Sequence, residues 1–230
     1  MPHPRPVLHP NNVTRRHLAG RPLAVGATIG LCISGVVSPG LLVADDAADP
    51  VTKDTLELPA DVAPRVPANH RPIHITEADL DGDGRQDVLL VTEAIAASPD
   101  AAAVPEQPRS LLLLRRGADG RLSAWARNDR VVHCAQCGGM MGDPFVGIEA
   151  GPRRFTVSHY GGSAWRWGVD VTFAYSRRFD AMQLVEVSET EFHATAPEDA
   201  TSAVSRPPKD FGRIDFAEFD PEHWRGQGVR

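Results

Sequence analysis

Between Pro72 and Phe219 the chain is a succession of short β-like runs separated by turn signals, and helical periodicity is nowhere sustained over a dozen residues. The runs are HITEAD, DVLLVTE, SLLLLRR, RLSAWARN, RFTVSHY, VDVTFAYS, AMQLVEVS and GRIDFAEF. Several alternate: Val169, Val171, Phe173 and Tyr175 fall on one face, and Asp170, Thr172 and Ala174 on the other. Connections this short suit antiparallel hairpins, because parallel strands need long crossovers. RRGADGRL joins two runs through an Asp-Gly turn, and AGPRR joins two more. The expectation is a mainly antiparallel all-β domain of about eight short strands, with closure as a barrel, a sandwich or a propeller-like sheet left open. Residues 94–108 and 195–210, rich in Ala, Pro and Ser, read as surface insertions.

The first 44 residues have a different chemistry. They contain no Asp or Glu, and Arg5, Arg15, Arg16 and Arg21 precede an uncharged run from Leu23 to Ala44. A basic region, an apolar region and a small residue before DDAADP describe an export signal. Arg15 and Arg16, in TRRHLAG, resemble the twin-arginine motif. The run is also long enough to span a bilayer, so an uncleaved N-terminal anchor is the alternative. The expected location is the periplasm or the exterior, with membrane attachment only through this segment. Residues 45–69 mix Pro, Ala and Asp without periodicity and read as a flexible linker, leaving a β domain over 70–222 and a tail over 223–230.

Charge narrows the partners. Residues 1–44 hold four of the 24 bases and none of the 30 acids, so without them the charge is about −10 with His neutral. Binding a nucleic-acid backbone calls for a basic face, so nucleic acid is excluded as a partner. A divalent cation suits this surface.

DLDGDGRQDVLLV, Asp79 to Val91, supplies a place for one. Ca²⁺ takes six to eight oxygen ligands, and alternate residues of a tight loop can point inward together. Asp79, Asp81, Asp83 and Asp87 offer carboxylates and Arg85 its carbonyl, while Gly82 and Gly84 permit backbone conformations that a β-carbon opposes. An EF-hand would place Glu at position 12 between flanking helices; here position 12 is Leu90 and the flanks are strand-like. The D-x-D-x-D-G-x-x-D pattern resembles the calcium loop of FG-GAP/VCBS repeats, known from integrin-type β-propellers. The resemblance covers Ile75 to Val91 and implies Ca²⁺ held by Asp79, Asp81, Asp83, Asp87 and the carbonyl of Arg85. Those families repeat the motif blade by blade, whereas this chain carries it once.

Two further stretches are unusual. VVHCAQCGGMMGDPF contains Cys134 and Cys137, which in an oxidising compartment most simply form a short-range disulfide. A thiol-redox centre is the rival, although Gly138, Gly139 and Gly142 disfavour the helix on which such centres are usually built. Zinc would need a fourth ligand beyond His133, Cys134 and Cys137. In HYGGSAWRWGVD, Trp165 and Trp167 share one strand face with Arg166 opposite; with His159 they form either a ligand platform for a sugar or the cap of a core. His159 and Ser163 also invite a hydrolase reading, but the nucleophile-elbow pattern fails at Trp165.

The order DLDGDG, CAQCGG, GDPF, HYGGSAWRW is similar to a group of small exported bacterial proteins, often lipid-anchored. That likeness spans about residues 70–220 and implies export and a single domain without adding a reaction. The chain departs from it at Cys32, where the preceding Leu31 spoils the lipidation signal. The expected function is a non-catalytic, calcium-binding module of the cell envelope whose partner is a protein or a glycan. A periplasmic redox or hydrolytic enzyme and a carbohydrate-binding module built on Trp165 and Trp167 are the alternatives.

Overall fold

The computed structural model describes residues 56–95 and 108–228. The expected export signal, Cys32 and most of the 94–108 insertion lie outside the described residues. The strands β1 (His70–Ala78), β2 (Asp87–Ala94), β3 (Arg109–Arg116) and β4 (Leu122–Asn128) form one four-stranded sheet. A second, five-stranded sheet holds β5 (Phe145–Gly151), β6 (Arg154–Gly162), β7 (Trp165–Ser176), β8 (Ala181–His193) and β9 (Ala196–Ser205). Each strand pairs antiparallel with the next within its sheet, and neither sheet closes into a barrel. The fold is therefore all-β and antiparallel, with nine described strands.

The apolar runs of β2 and β3 follow from burial on both faces. Leu89, Val91, Leu111 and Leu113 point to the core shared with the second sheet, where Val157, Val171 and Phe173 meet them. Val88, Leu90 and Leu114 face the other way and are covered by Leu58, Val62 and Val66. A strand buried on both faces has no polar side to alternate with, so it reads as a continuous apolar run.

Four expectations require correction. Residues 58–66, read as linker, carry a 3₁₀ turn at Ala63–Arg65 and bury Val62 completely, so the domain begins before residue 70. Residues 196–205, read as part of an insertion, are β9, paired to β8 from Val187↔Ser205 to His193↔Ala196. GRIDFAEF is not a strand. A 3₁₀ turn at Phe216–Glu218 brings Phe216 and Phe219 into the core together, and the side-chain amide of Asn128 fixes the turn by donating to the carbonyls of both at 2.7 and 2.8 Å. Trp224, in the expected tail, also packs in this core, edge-on to Phe211.

Candidate functional site

The aspartate loop closes the β1–β2 hairpin, whose last register pair is Ala78↔Asp87. Asp79 is its organiser: one carboxylate oxygen accepts from the N–H groups of Gly82 and Asp83 at 2.8 and 3.0 Å, and the other from Gly84 at 3.0 Å. Gly82 and Gly84 have φ of 76° and 89°, the left-handed region in which only glycine is free of strain. A β-carbon at Gly82 would also overlap the guanidinium of Arg153, and the backbone N–H of Arg153 donates to the Asp79 carbonyl at 2.9 Å. The loop is thus fastened to the β5–β6 turn.

Asp87 is fully buried; it accepts from Leu80 N–H at 3.0 Å and from Arg116 N–H at 2.8 Å. Burial pushes its pKa up against those two hydrogen bonds, and the charges of Asp81 and Asp83 push the same way. Carboxylate oxygens of Asp79, Asp81 and Asp87 lie within 4.8 Å of one another, so one cation can touch all three. Asp83 stands apart from that convergence: its carboxylate accepts from the Arg85 backbone N–H at 2.9 Å and pairs with the Arg85 guanidinium. The Arg85 side chain also reaches the Arg116 carbonyl at 2.8 Å. The three convergent oxygens are hard donors of the kind that Ca²⁺ and Mg²⁺ use, and the carbonyls and water that complete such shells are compatible with this exposed rim.

Arg115 borders the loop. Its guanidinium lies 3.2 Å from Asp81 and 2.8 Å from Asp180, and stacks 3.9 Å over the Trp125 ring. The Tyr175 hydroxyl donates to Asp180 at 2.8 Å. Asp81 therefore has a guanidinium partner, whereas Asp79 and Asp87 are held by backbone N–H groups.

The other unusual stretches meet elsewhere, between the sheets where β2 and β3 run out of leucines. Arg109, only 3% exposed, donates through Nε to Glu93 at 2.9 Å and through NH1 to the His133 carbonyl at 3.1 Å. It also holds Asp143 of the GDPF segment by a two-pronged pair, 2.7 Å on one side. Arg71 pairs with Glu93 from β1. His159 is 3% exposed and its ring stacks on His133 at 4.4 Å. Its Nε2 accepts from the His133 N–H at 3.3 Å, so Nδ1 carries the proton and has no partner among the described residues. Burial lowers its pKa to about 3, with the charges of His133 and Arg109 adding to the effect.

This geometry sorts the remaining candidates. Cys134 and Cys137 form a disulfide with a Cα–Cα separation of 5.2 Å. Trp165 is 67% exposed, edge-on to His193 at 5.2 Å. Trp167 is half-buried over Gly161, 5.9 Å from the His133 ring. His159 is too buried to share a surface platform with Trp165, and Arg166, on the opposite strand face, has a buried NH1 with no partner among the described residues. Ser163 occupies the β6–β7 turn, its N–H bonded to the Trp165 carbonyl, and no hydrogen bond joins it to His159. The Glu93–Arg109–Asp143 network escaped sequence reading; the one local signal was the charge at the polar end of each apolar run.

Comparison with family models, curated proteins and solved structures returned no match to this chain.

Proposed function

We propose that this chain is an exported β domain that binds Ca²⁺ in its Asp79–Asp87 loop and serves as a binding or structural module of the cell envelope. The observation that carries the reading is the convergence of three carboxylates, one of them fully buried. Like charges brought together and desolvated oppose folding, and a shared dication reverses that term. Because the same loop touches β3 through Arg116 and the β5–β6 turn through Arg153, an ion there would brace both sheets. Asp79, Asp81 and Asp87 are the proposed carboxylate ligands; Asp83 and the Arg85 carbonyl join only if Asp83 leaves its pair with Arg85. The N-terminal sequence supports export, and the acidic balance supports a protein or glycan partner over a nucleic acid.

The test is thermal unfolding of the metal-stripped chain with and without Ca²⁺, with Mg²⁺ as control. A ligand at 100 times its Kd stabilises the folded state by about 2.7 kcal/mol. For a domain of this size that is a rise of roughly 5–10 °C in Tm. An unchanged midpoint at millimolar Ca²⁺ would remove the ion from the reading.

A further inference from the structure

The disulfide has properties that a purely structural role leaves unexplained. It spans only two intervening residues, so it removes little entropy from the unfolded chain. The segment that follows it, residues 138–144, is fastened without it. Gly138 N–H donates to the Gly142 carbonyl at 3.0 Å, Gly162 N–H to the Gly138 carbonyl at 2.9 Å, and Tyr160 N–H to the Pro144 carbonyl at 2.8 Å. The Arg109–Asp143 pair anchors the far end. Gly138 is so closely packed that a β-carbon would strike the Gly142 carbonyl.

The two sulfurs also differ in access. Cys134 is 8% exposed and belongs to the buried wall, whereas Cys137 lies at the surface. Thiol–disulfide exchange depends on which sulfur an incoming thiolate can reach and how readily the other leaves. Here only Cys137 is open to attack. Attack there makes Cys134, the buried partner, the leaving sulfur. Met140 at 85% exposure, with Met141 and Trp165 also exposed, supplies apolar surface on the segments around this bridge. The Gly139↔Gly162 bridge brings the Met140 segment beside the turn that carries Trp165. Adaptable methionines and an exposed indole suit contact with a peptide chain.

We propose that Cys134–Cys137 is a thiol–disulfide exchange site whose co-substrate is a protein dithiol. A partner thiolate attacks Cys137 Sγ, the Cys134–Cys137 bond breaks, and its electron pair leaves on Cys134 as the thiolate. The partner's second thiolate then attacks the partner sulfur of the mixed disulfide and releases Cys137. The partner is oxidised to its disulfide, this chain is reduced by two electrons, and the partner's two thiol protons end on Cys134 and Cys137. The reverse sequence reoxidises the chain. The site is separate from the aspartate loop and does not depend on calcium.

The test uses the native full chain with Cys32→Ser, so that only the pair reports. The oxidised protein is equilibrated with mixtures of reduced and oxidised dithiothreitol, and free thiols are counted while the β-sheet circular dichroism is followed. The reduced protein is then given limiting iodoacetamide and the label is mapped. Reversible reduction without loss of the sheet signal, with Cys137 labelled roughly tenfold or more ahead of Cys134, is the expected result. The Cys134→Ser variant should then trap a mixed disulfide with thionitrobenzoate at Cys137. A bridge that opens only under denaturing conditions, or two sulfurs labelled equally, would overturn the proposal and leave the bridge as a fastener.

Discussion

The aspartate hairpin and the Arg109 network both bury charge, but they balance it differently. At the Arg109 end, Glu93 and Asp143 are matched by Arg71 and Arg109, so the network is neutral without outside help. At the hairpin end, among the described residues, Asp79, Asp81 and Asp87 converge with only Arg115 drawn in, and Asp87 is held by backbone N–H groups alone. A neutral buried network fixes one packing; an unbalanced one leaves room for an ion. The contrast is the ground for proposing an ion at the hairpin, while the network underpins the disulfide loop.

The largest expected effect breaks the balanced end. Arg109→Met leaves Glu93 buried with only the half-exposed Arg71 as partner and cuts Asp143 free. Removing one member of a buried pair costs about 3–5 kcal/mol, which urea unfolding would register. The calcium-dependent shift in Tm should survive that change, because no residue of the network is a proposed ligand. Loss of both together would merge the two regions into one.

A smaller effect sharpens the comparison through pH. His159 has its pKa lowered from 6.5 to about 3 by burial, so between those values the unfolded chain takes up a proton that the folded chain refuses. Stability contributed by neutral His159 is therefore complete above pH 6.5 and declines as pH falls toward 3. His133 and His74, also lowered by burial, act in the same direction. His159→Phe should flatten the loss of stability between pH 6.5 and 4.5 by about one proton's worth of slope. Asp87 has the opposite sign: its raised pKa means that the metal-free loop is relieved as its carboxyl gains a proton. An unchanged acid slope in His159→Phe would show that the ring is not held neutral by the fold.

The difference between the two regions also explains what could be read from the chain. The aspartate loop lies within nine consecutive residues of one hairpin, so spacing alone brings three of its four carboxylates together, while Asp83 turns to Arg85. The Arg109 network draws Arg71, Glu93, Arg109, His133, Asp143 and His159 from β1, β2, β3, β6 and one loop, and nothing local joins them. β9 was missed because APEDATSAVS is mostly exposed on both faces; backbone pairing to β8 makes the strand, without an apolar alternation to announce it. The alternation in GRIDFAEF misled in the opposite sense. Phe216 and Phe219 are three apart, and a 3₁₀ turn aims both inward as well as a strand would aim alternate residues. Two-sided burial of β2 accounts for its unbroken apolar run, but the covering segment at residues 58–66 has no periodicity to announce it.

The most direct test of the central claim is a calcium titration of the metal-stripped chain by calorimetry, run beside Asp87→Asn. One saturable site per chain in the native protein, weakened at least tenfold in the variant while its fold persists, is the predicted result. No saturable binding, or an isotherm that Asp87→Asn leaves unchanged, would contradict it.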